Sequence, residues 1–372
     1  MADQGFINRP MSIALDAVRG VAALVVLLGH TVQHRIYTGP WPFSDILQHQ
    51  AVVVFFVLSG LVIANSVYQR QASLADYAVA RVARIMPVAL FAVLFSVAAW
   101  AVGAWFELTV IEAPRRFLDP SVAGAVLPLL FLSEAEWGTG LLWNAPYWSL
   151  VHEVWYYAFF GVACYLSGWK RAAMLALLIP LAGIRVLVLF PVWLCGAALA
   201  RYAPAKAVNE LTGVLCIFAG VAGLSLAHHF QLDWAPLLDE LARPLSANLY
   251  LARYAITDTI FGAGVALGFL GLRALADQRA ELLDRFERPI RWLAECSFTL
   301  YLIHWPILNL LHGFGVSVGS SVWLLIGLLA LIVAFCGQVA KLTEHRRGDV
   351  RRWLQARLPI GWASPVAAPH PL

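Results

Sequence analysis

The sequence predicts an all-α bundle of about ten membrane-spanning helices, and three observations carry that reading. Hydrophobic residues make up 61% of the 372 and charged residues only 13%, whereas a soluble domain is about 45–50% apolar and about 25% charged. Mean hydropathy is +0.73. The apolar residues fall into long runs at 14–34, 48–67, 84–106, 121–136, 146–167, 171–200, 210–229, 254–272, 294–313 and 319–341. In hydrocarbon only helices or closed barrels satisfy the backbone, and these runs are too long and too uniformly apolar for barrel strands. At about 20 residues per span, they leave no room for a large soluble domain. An ordinary soluble enzyme, a disordered chain and a nucleic-acid binder are excluded. The net charge of +4 comes from dispersed basic residues, not from a stripe that nucleic acid would need.

The start, MADQGFINRPMSIALDAVRG, does not read as a cleavable signal. Its apolar run is long, lacks a small-residue cleavage site and carries charges at its head. Lys and Arg in short loops give the orientation. The basic loops are 68–84 (Arg70, Arg81, Arg84), 201–206 (Arg201, Lys206) and 273–291 (Arg273, Arg279, Arg285, Arg288, Arg291). The tail adds Lys341, Arg346, Arg347, Arg351, Arg352 and Arg357; the alternate loops are poorer. Both termini are therefore expected on the cytoplasmic side of the membrane. A membrane domain is expected over 1–345 and a basic cytoplasmic tail over 346–372. Residues 171–200 are long enough for two short helices interrupted by Pro180, Arg185 and Pro191. Termini on one side require an even number of crossings, so either 121–136 or 171–184 does not span fully; Lys170 and Arg171 favour the former as the incomplete one. Cys164, Cys195, Cys216, Cys296 and Cys336 all lie in apolar stretches without metal-ligand or CxxC spacing and read as packing residues, with no metal site.

Ionisable groups inside spans are costly and mark functional candidates. The first span holds Asp16, Arg19 and His30. Arg19 and His30 lie eleven residues apart, which is about 20° beyond three full turns and about 16 Å of rise. Both therefore share one face, and Asp16 lies where it can hold Arg19. Arg19 reads equally as a positive-inside anchor, and His30 as a hydrogen-bonded structural histidine. In the second run, Ser59 and Gly60 suit close helix approach. Arg81 and Arg84, one turn apart, form either a phosphate fork or a topology signal. Ser149 and Glu153 share a helix face beside His152. Glu153 suits pairing with Arg19 or orienting His30. Ser297, Tyr301 and His304 step by four and three into a polar stripe, a substrate wall or an interhelical seam.

Five pieces, LDAVRGVAALVVLLGH, FFVLSG, RVARIMP, WSLVHE and YLIHWP, occur in an order that resembles the acyltransferase 3 family of bacterial membrane acyltransferases, over about residues 10–345. Arg19 and His30 fit that family's pattern of Arg, ten residues, His. Two departures stand out. QAVVV precedes FFVLSG where members often carry a Gly-Val-Asp type lead. His152 stands where a small or apolar residue is usual, which makes it a candidate for extra proton transfer. The resemblance implies transfer of an acyl group, usually acetyl, from cytoplasmic acyl-CoA to a hydroxyl on a glycan or lipid-linked saccharide. Members often carry a fused SGNH hydrolase-like domain; this chain ends soon after its last apolar run, so it is expected to work without one or with a separate partner.

The expected mechanism has Arg81 and Arg84, with Arg19, holding acyl-CoA at the cytoplasmic mouth. Pantetheine then lies along the Arg19–His30 face. His30 acts as general base, Glu153 orients or charge-stabilises it, and Ser149 or Tyr301 donates to the oxyanion. His304, Ser59 and His152 complete the candidate substrate residues. A covalent acyl-histidine is a variant of this scheme. The rival class is a proton-coupled transporter or flippase that uses Arg19, His30 and Glu153 as a proton relay.

Overall fold

The computed structural model describes residues 6–43, 46–69, 73–110, 115–203, 208–243 and 248–357. Arg70, Lys206 and residues 358–372 of the tail lie outside the described residues. The helices are α1 (Arg9–Gln33), α2 (Leu47–Gln69), α3 (Leu74–Trp105), α4 (Ala123–Leu129), α5 (Trp148–Tyr165), α6 (Gly168–Ala182), α7 (Ile184–Tyr202), α8 (Glu210–Ala242), α9 (Ala255–Gln278), α10 (Ala280–Arg285), α11 (Glu287–Gly313), α12 (Val322–Leu342) and α13 (Arg347–Arg357). No strand occurs among the described residues, where an isolated bridge pairs Tyr37 with Gly319.

Local chemistry sets several boundaries. The Asn8 side chain accepts from the Met11 amide at 3.0 Å and starts α1, with Pro10 in its first turn. Ser73 caps α3 through the Asp76 amide, and Asn209 caps α8 through the Thr212 amide. Among the described residues, seven helices are long and apolar enough to cross a membrane; α5, α6 and α11 fall outside that set. α6 has only fifteen residues, and α5 and α11 carry the polar and charged groups of the site described below. Exposed Trp105 and Trp323 lie at helix ends on one side of the bundle, and exposed Trp169 and Tyr202 at ends on the other. Membrane interfaces favour such aromatic groups.

Two expected segments take a different form. Run 121–136 yields only α4, seven residues and about 10 Å long, too short to cross hydrocarbon. Run 171–200 breaks at Gly183, not at its prolines: Pro180 lies inside α6 and Pro191 inside α7. Gly183 has φ +84, and a Cβ there would strike the Glu134 backbone. Buried Glu134 then ties this corner together, accepting from Arg116 at 2.7 Å and Arg185 at 3.2 Å.

α2 and α7 meet backbone to backbone. A Cβ on Gly60 would collide with the Trp193 carbonyl, and one on Gly196 with the Val57 carbonyl. The close approach expected at Ser59–Gly60 is thus made against α7. Gly196→Ala is expected to destabilise the protein by about 1–3 kcal/mol, read as a lower melting midpoint in detergent. Gly327, with open space around it, supplies the control Gly327→Ala. Equal midpoints for the two variants would rule out the tight α2–α7 contact.

Candidate active site

α1 and α11 run side by side in the same direction. Asp16 accepts from Arg291 at 2.9 Å, His30 meets His304 at 2.8 Å, and His34 meets Asn309 at 3.0 Å. The sequence separations are 275, 274 and 275, so one register holds along both helices. The end of the bundle where α1, α3 and α11 begin is called the N-terminal face below.

The histidine pair has a definite proton order. His304 Nδ1 lies 2.7 Å from the Tyr301 carbonyl and 3.1 Å from the Leu300 carbonyl. A carbonyl only accepts, so Nδ1 carries the proton and Nε2 keeps its lone pair. That lone pair faces His30 Nδ1, which therefore donates. His30 Nε2 is left as the basic nitrogen of the pair. Trp305 lies edge-on to both His30 and His34, with ring centroids 4.8 Å and 4.6 Å away. His34 Nδ1 donates to the His30 carbonyl at 2.7 Å. His304 is fully buried and His30 is 8% exposed.

A cavity of about 380 Å³ opens at the N-terminal face, with Asp16, Arg19, Arg84, Arg291, Glu344 and Arg347 in its walls. A second, narrower cavity of about 60 Å³ continues inward, lined by Phe55, Ser59, Ser149, Glu153 and Tyr301 among others. Arg19, Arg84, Ser297 and Phe298 line both. Asp16 holds Arg19 at 3.0 Å, as the spacing suggested. Ser149 and Glu153 share the cavity-facing side of α5. Glu153 accepts from Ser59 at 2.7 Å and from Tyr157, while Trp193 donates to Ser59 at 3.2 Å. Ser149 Oγ and Tyr301 OH lie 2.7 Å apart, and each lies 3.2 Å from the Pro146 carbonyl. Their two protons are taken by each other and by that carbonyl. Donating to an oxyanion would require one of them to leave Pro146.

Several expected placements change. Glu153 is engaged by Ser59 and Tyr157; the partner of His30 is His304. Arg19 is held by Asp16, so Arg19, His30 and Glu153 do not form one hydrogen-bonded relay. Arg81 and Arg84 do not form one fork: although i and i+3 are neighbours on a helix, the two side chains line different cavities, with Tyr157 in the walls of both. Arg84 lines both cavities, whereas Arg81 lies in a separate apolar groove with Tyr77, Phe131 and Gly161. There its guanidinium lies 5.7 Å from the Tyr77 and Tyr157 ring centres. His152 faces away from the cavity. It donates to the Trp148 carbonyl at 2.8 Å and stacks on Phe56. Val52, Phe55, Ser149 and Tyr301 line the inner cavity, and His30 does not. Phe55 and Tyr301 meet edge to face in its wall, with centroids 5.7 Å apart.

The sequence reading missed Arg291, Glu344 and Arg347 as cavity walls and His34 and Asn309 as part of the buried histidine layer. His34 carried a usable signal, since it lies one turn beyond His30 on the same face. The cavity walls carried none, because they come together only through packing.

The long apolar helices, the buried histidine pair and the cavity opening at one face define an integral-membrane helical bundle with a polar site in its interior. The sequence profile of an acyltransferase domain matches residues 12–339, and the chain belongs to that acyltransferase 3 family. It is similar to "Protein 2 in picA locus" of Rhizobium radiobacter, 33% identical over 152 residues, 38% of this chain and 76% of that one. No solved structure matches the chain.

Proposed function

We propose that this membrane acyltransferase moves an acyl group, in the first place acetyl, from cytoplasmic acyl-CoA to a hydroxyl of a cell-surface or exported glycan or a lipid-linked saccharide. The observation that carries the reading is the His304-to-His30 hydrogen-bond order, which leaves a basic nitrogen on His30. On this reading α5, α6 and α11 join the seven apolar helices to make ten spans of a bacterial inner membrane. Both termini are then cytoplasmic, as is the N-terminal face with its arginines.

The donor phosphates bind in the outer cavity, with Arg84 as their inner contact. Pantetheine fills the narrow cavity past Arg19 and Glu153, and the thioester arrives at Ser149 and Tyr301. Passage to His30 requires Phe55 and Tyr301 to part. His30 Nε2 then takes the proton of the acceptor hydroxyl as its oxygen attacks the thioester carbonyl. The C–S bond breaks, and the proton passes from the imidazolium to the leaving thiolate. His304 keeps the ring oriented by accepting from Nδ1–H.

A transporter built on an Arg19–His30–Glu153 relay has no support from the hydrogen bonds, which lead those three groups to different partners. The test is thermal stabilisation of the purified protein by acetyl-CoA, followed by release of free CoA in membranes that contain acceptor. Neither effect, together with a response to a proton gradient, would overturn the acyltransferase reading in favour of transport.

A further inference from the structure

We propose that the segment after the last long helix, through Arg347 with His345 beside it, forms the outer half of the donor's phosphate site and takes the polyphosphate end of a coenzyme nucleotide. This rests on the donor assignment above and assigns residues to it that no motif of the sequence marks.

The first argument is position. Glu344, His345 and Arg347 line the outer cavity together with Arg19, Arg84 and Arg291. Its volume of about 380 Å³ falls within the roughly 300–1,000 Å³ of small-molecule sites, and it runs on into the inner cavity.

The second argument is charge. Asp16 gives one oxygen to Arg19 and the other to Arg291, at 3.0 and 2.9 Å. Arg19 is thereby paired, and Arg291 is paired with both Asp16 and Glu287, the latter at 2.7 Å. Among the described residues, neither Arg84 nor Arg347 has a carboxylate within ion-pair distance. In the tail, Arg346 and Arg352 both pair with Asp349, at 3.3 and 2.6 Å, and Arg351 and Arg357 lie outside the cavity's lining. Of the arginines that line the cavity, Arg84 and Arg347 are thus the two without a direct ion pair among the described residues, one at its inner end and one at its rim. That spacing suits a ligand with more than one phosphate.

The third argument is that the wall is fixed in place. Glu344 accepts from the Thr299 amide at 2.8 Å and from its hydroxyl at 2.7 Å, and Thr343 lies 3.1 Å from the same hydroxyl. This ties the segment to α11. Helix α13 then packs on α3, the helix that carries Arg84. The C-terminal segment is built into the cavity.

A phosphate at this wall has two possible sources, a nucleotide or an anionic lipid headgroup, and the experiment separates them. Acetyl-CoA is titrated into the full-length protein in nanodiscs of phosphatidylcholine alone and of phosphatidylcholine with phosphatidylglycerol. Arg347→Ala is expected to raise the Kd for acetyl-CoA about tenfold in both lipids, the loss of one charge-assisted contact. Arg347→Lys should restore part of the affinity, and Arg352→Ala should bind as wild type does. Three results would overturn the proposal: unchanged affinity in Arg347→Ala beside a wild type that binds; an equal loss in Arg352→Ala; or an effect confined to phosphatidylglycerol, which would assign the wall to lipid. Failure of the wild type itself to bind acetyl-CoA would overturn the donor assignment as well.

Discussion

His30→Ala is expected to lower the rate of acyl transfer by about 10²–10⁴-fold, the contribution of a positioned general base, with the protein still folded and inserted. The reason lies in the proton order of the pair. His304 has its Nδ1 proton committed to backbone carbonyls and its Nε2 facing His30. Removing His30 frees the His304 Nε2 lone pair, but that ring is fully buried and anchored through Nδ1–H to backbone carbonyls, so it cannot take up the position of the missing ring. The structural cost of the change is small, about 0.5–1.5 kcal/mol for one neutral hydrogen bond plus some lost packing against Trp305. CoA release is the measurement, with the melting midpoint as the folding control; wild-type turnover in a folded His30→Ala protein would remove His30 from its central place. His304→Phe is the companion variant. It fills the space but accepts nothing from His30 Nδ1. As a positioning residue, His304 should lower kcat, leave donor KM near wild type and change the pH profile of kcat. A purely structural histidine would change stability without altering that profile.

The second large effect is expected at Arg84. Removing a hydrogen-bonding partner of a charged ligand group costs about 1.5–3 kcal/mol, so Arg84→Ala should weaken acetyl-CoA binding about 10- to 150-fold. Arg81→Ala should leave donor affinity near wild type, because Arg81 faces the groove with Tyr77 and Phe131 instead of the tunnel. Its loss should appear as lower stability, since its guanidinium lies over the Tyr77 and Tyr157 rings. Titration of both variants with acetyl-CoA is the measurement. Equal weakening by the two would restore the fork that their spacing suggested and contradict the separation of the cavities.

Composition and run length made the helical membrane architecture legible, because hydrocarbon allows so few backbone solutions. Helical periodicity placed Ser149 with Glu153 and joined Asp16 to Arg19, and both arrangements are present. It failed where the answer depends on which neighbour a helix face meets. Glu153 had the right face but the wrong expected partner, since nothing in one sequence says that Ser59 packs closer to it than His30 does. Arg81 and Arg84 share a turn, yet they line different cavities, with Tyr157 in the walls of both. His304 was visible as part of a polar stripe. Its engagement with His30 depends on the parallel register of α1 and α11, which residues 274 apart do not announce. The prolines of 171–200 drew attention as breakers, but helices in hydrocarbon tolerate proline when neighbours satisfy the freed carbonyl. The real break falls at Gly183, the position with a left-handed backbone.

The Phe55–Tyr301 contact bears on a hazard that an enzyme working across a bilayer would meet. A water-filled passage through the bundle would let protons and metal ions run down the electrochemical gradient that energises the cell, where each elementary charge is worth about 2.3 kcal/mol per 100 mV. Two aromatic rings in the wall of a passage of about 60 Å³ offer a hydrated ion neither width nor solvation. On the proposed donor assignment, an uncharged thioester arm would part those rings and occupy the gap it opens, so that the substrate itself would act as the stopper during turnover.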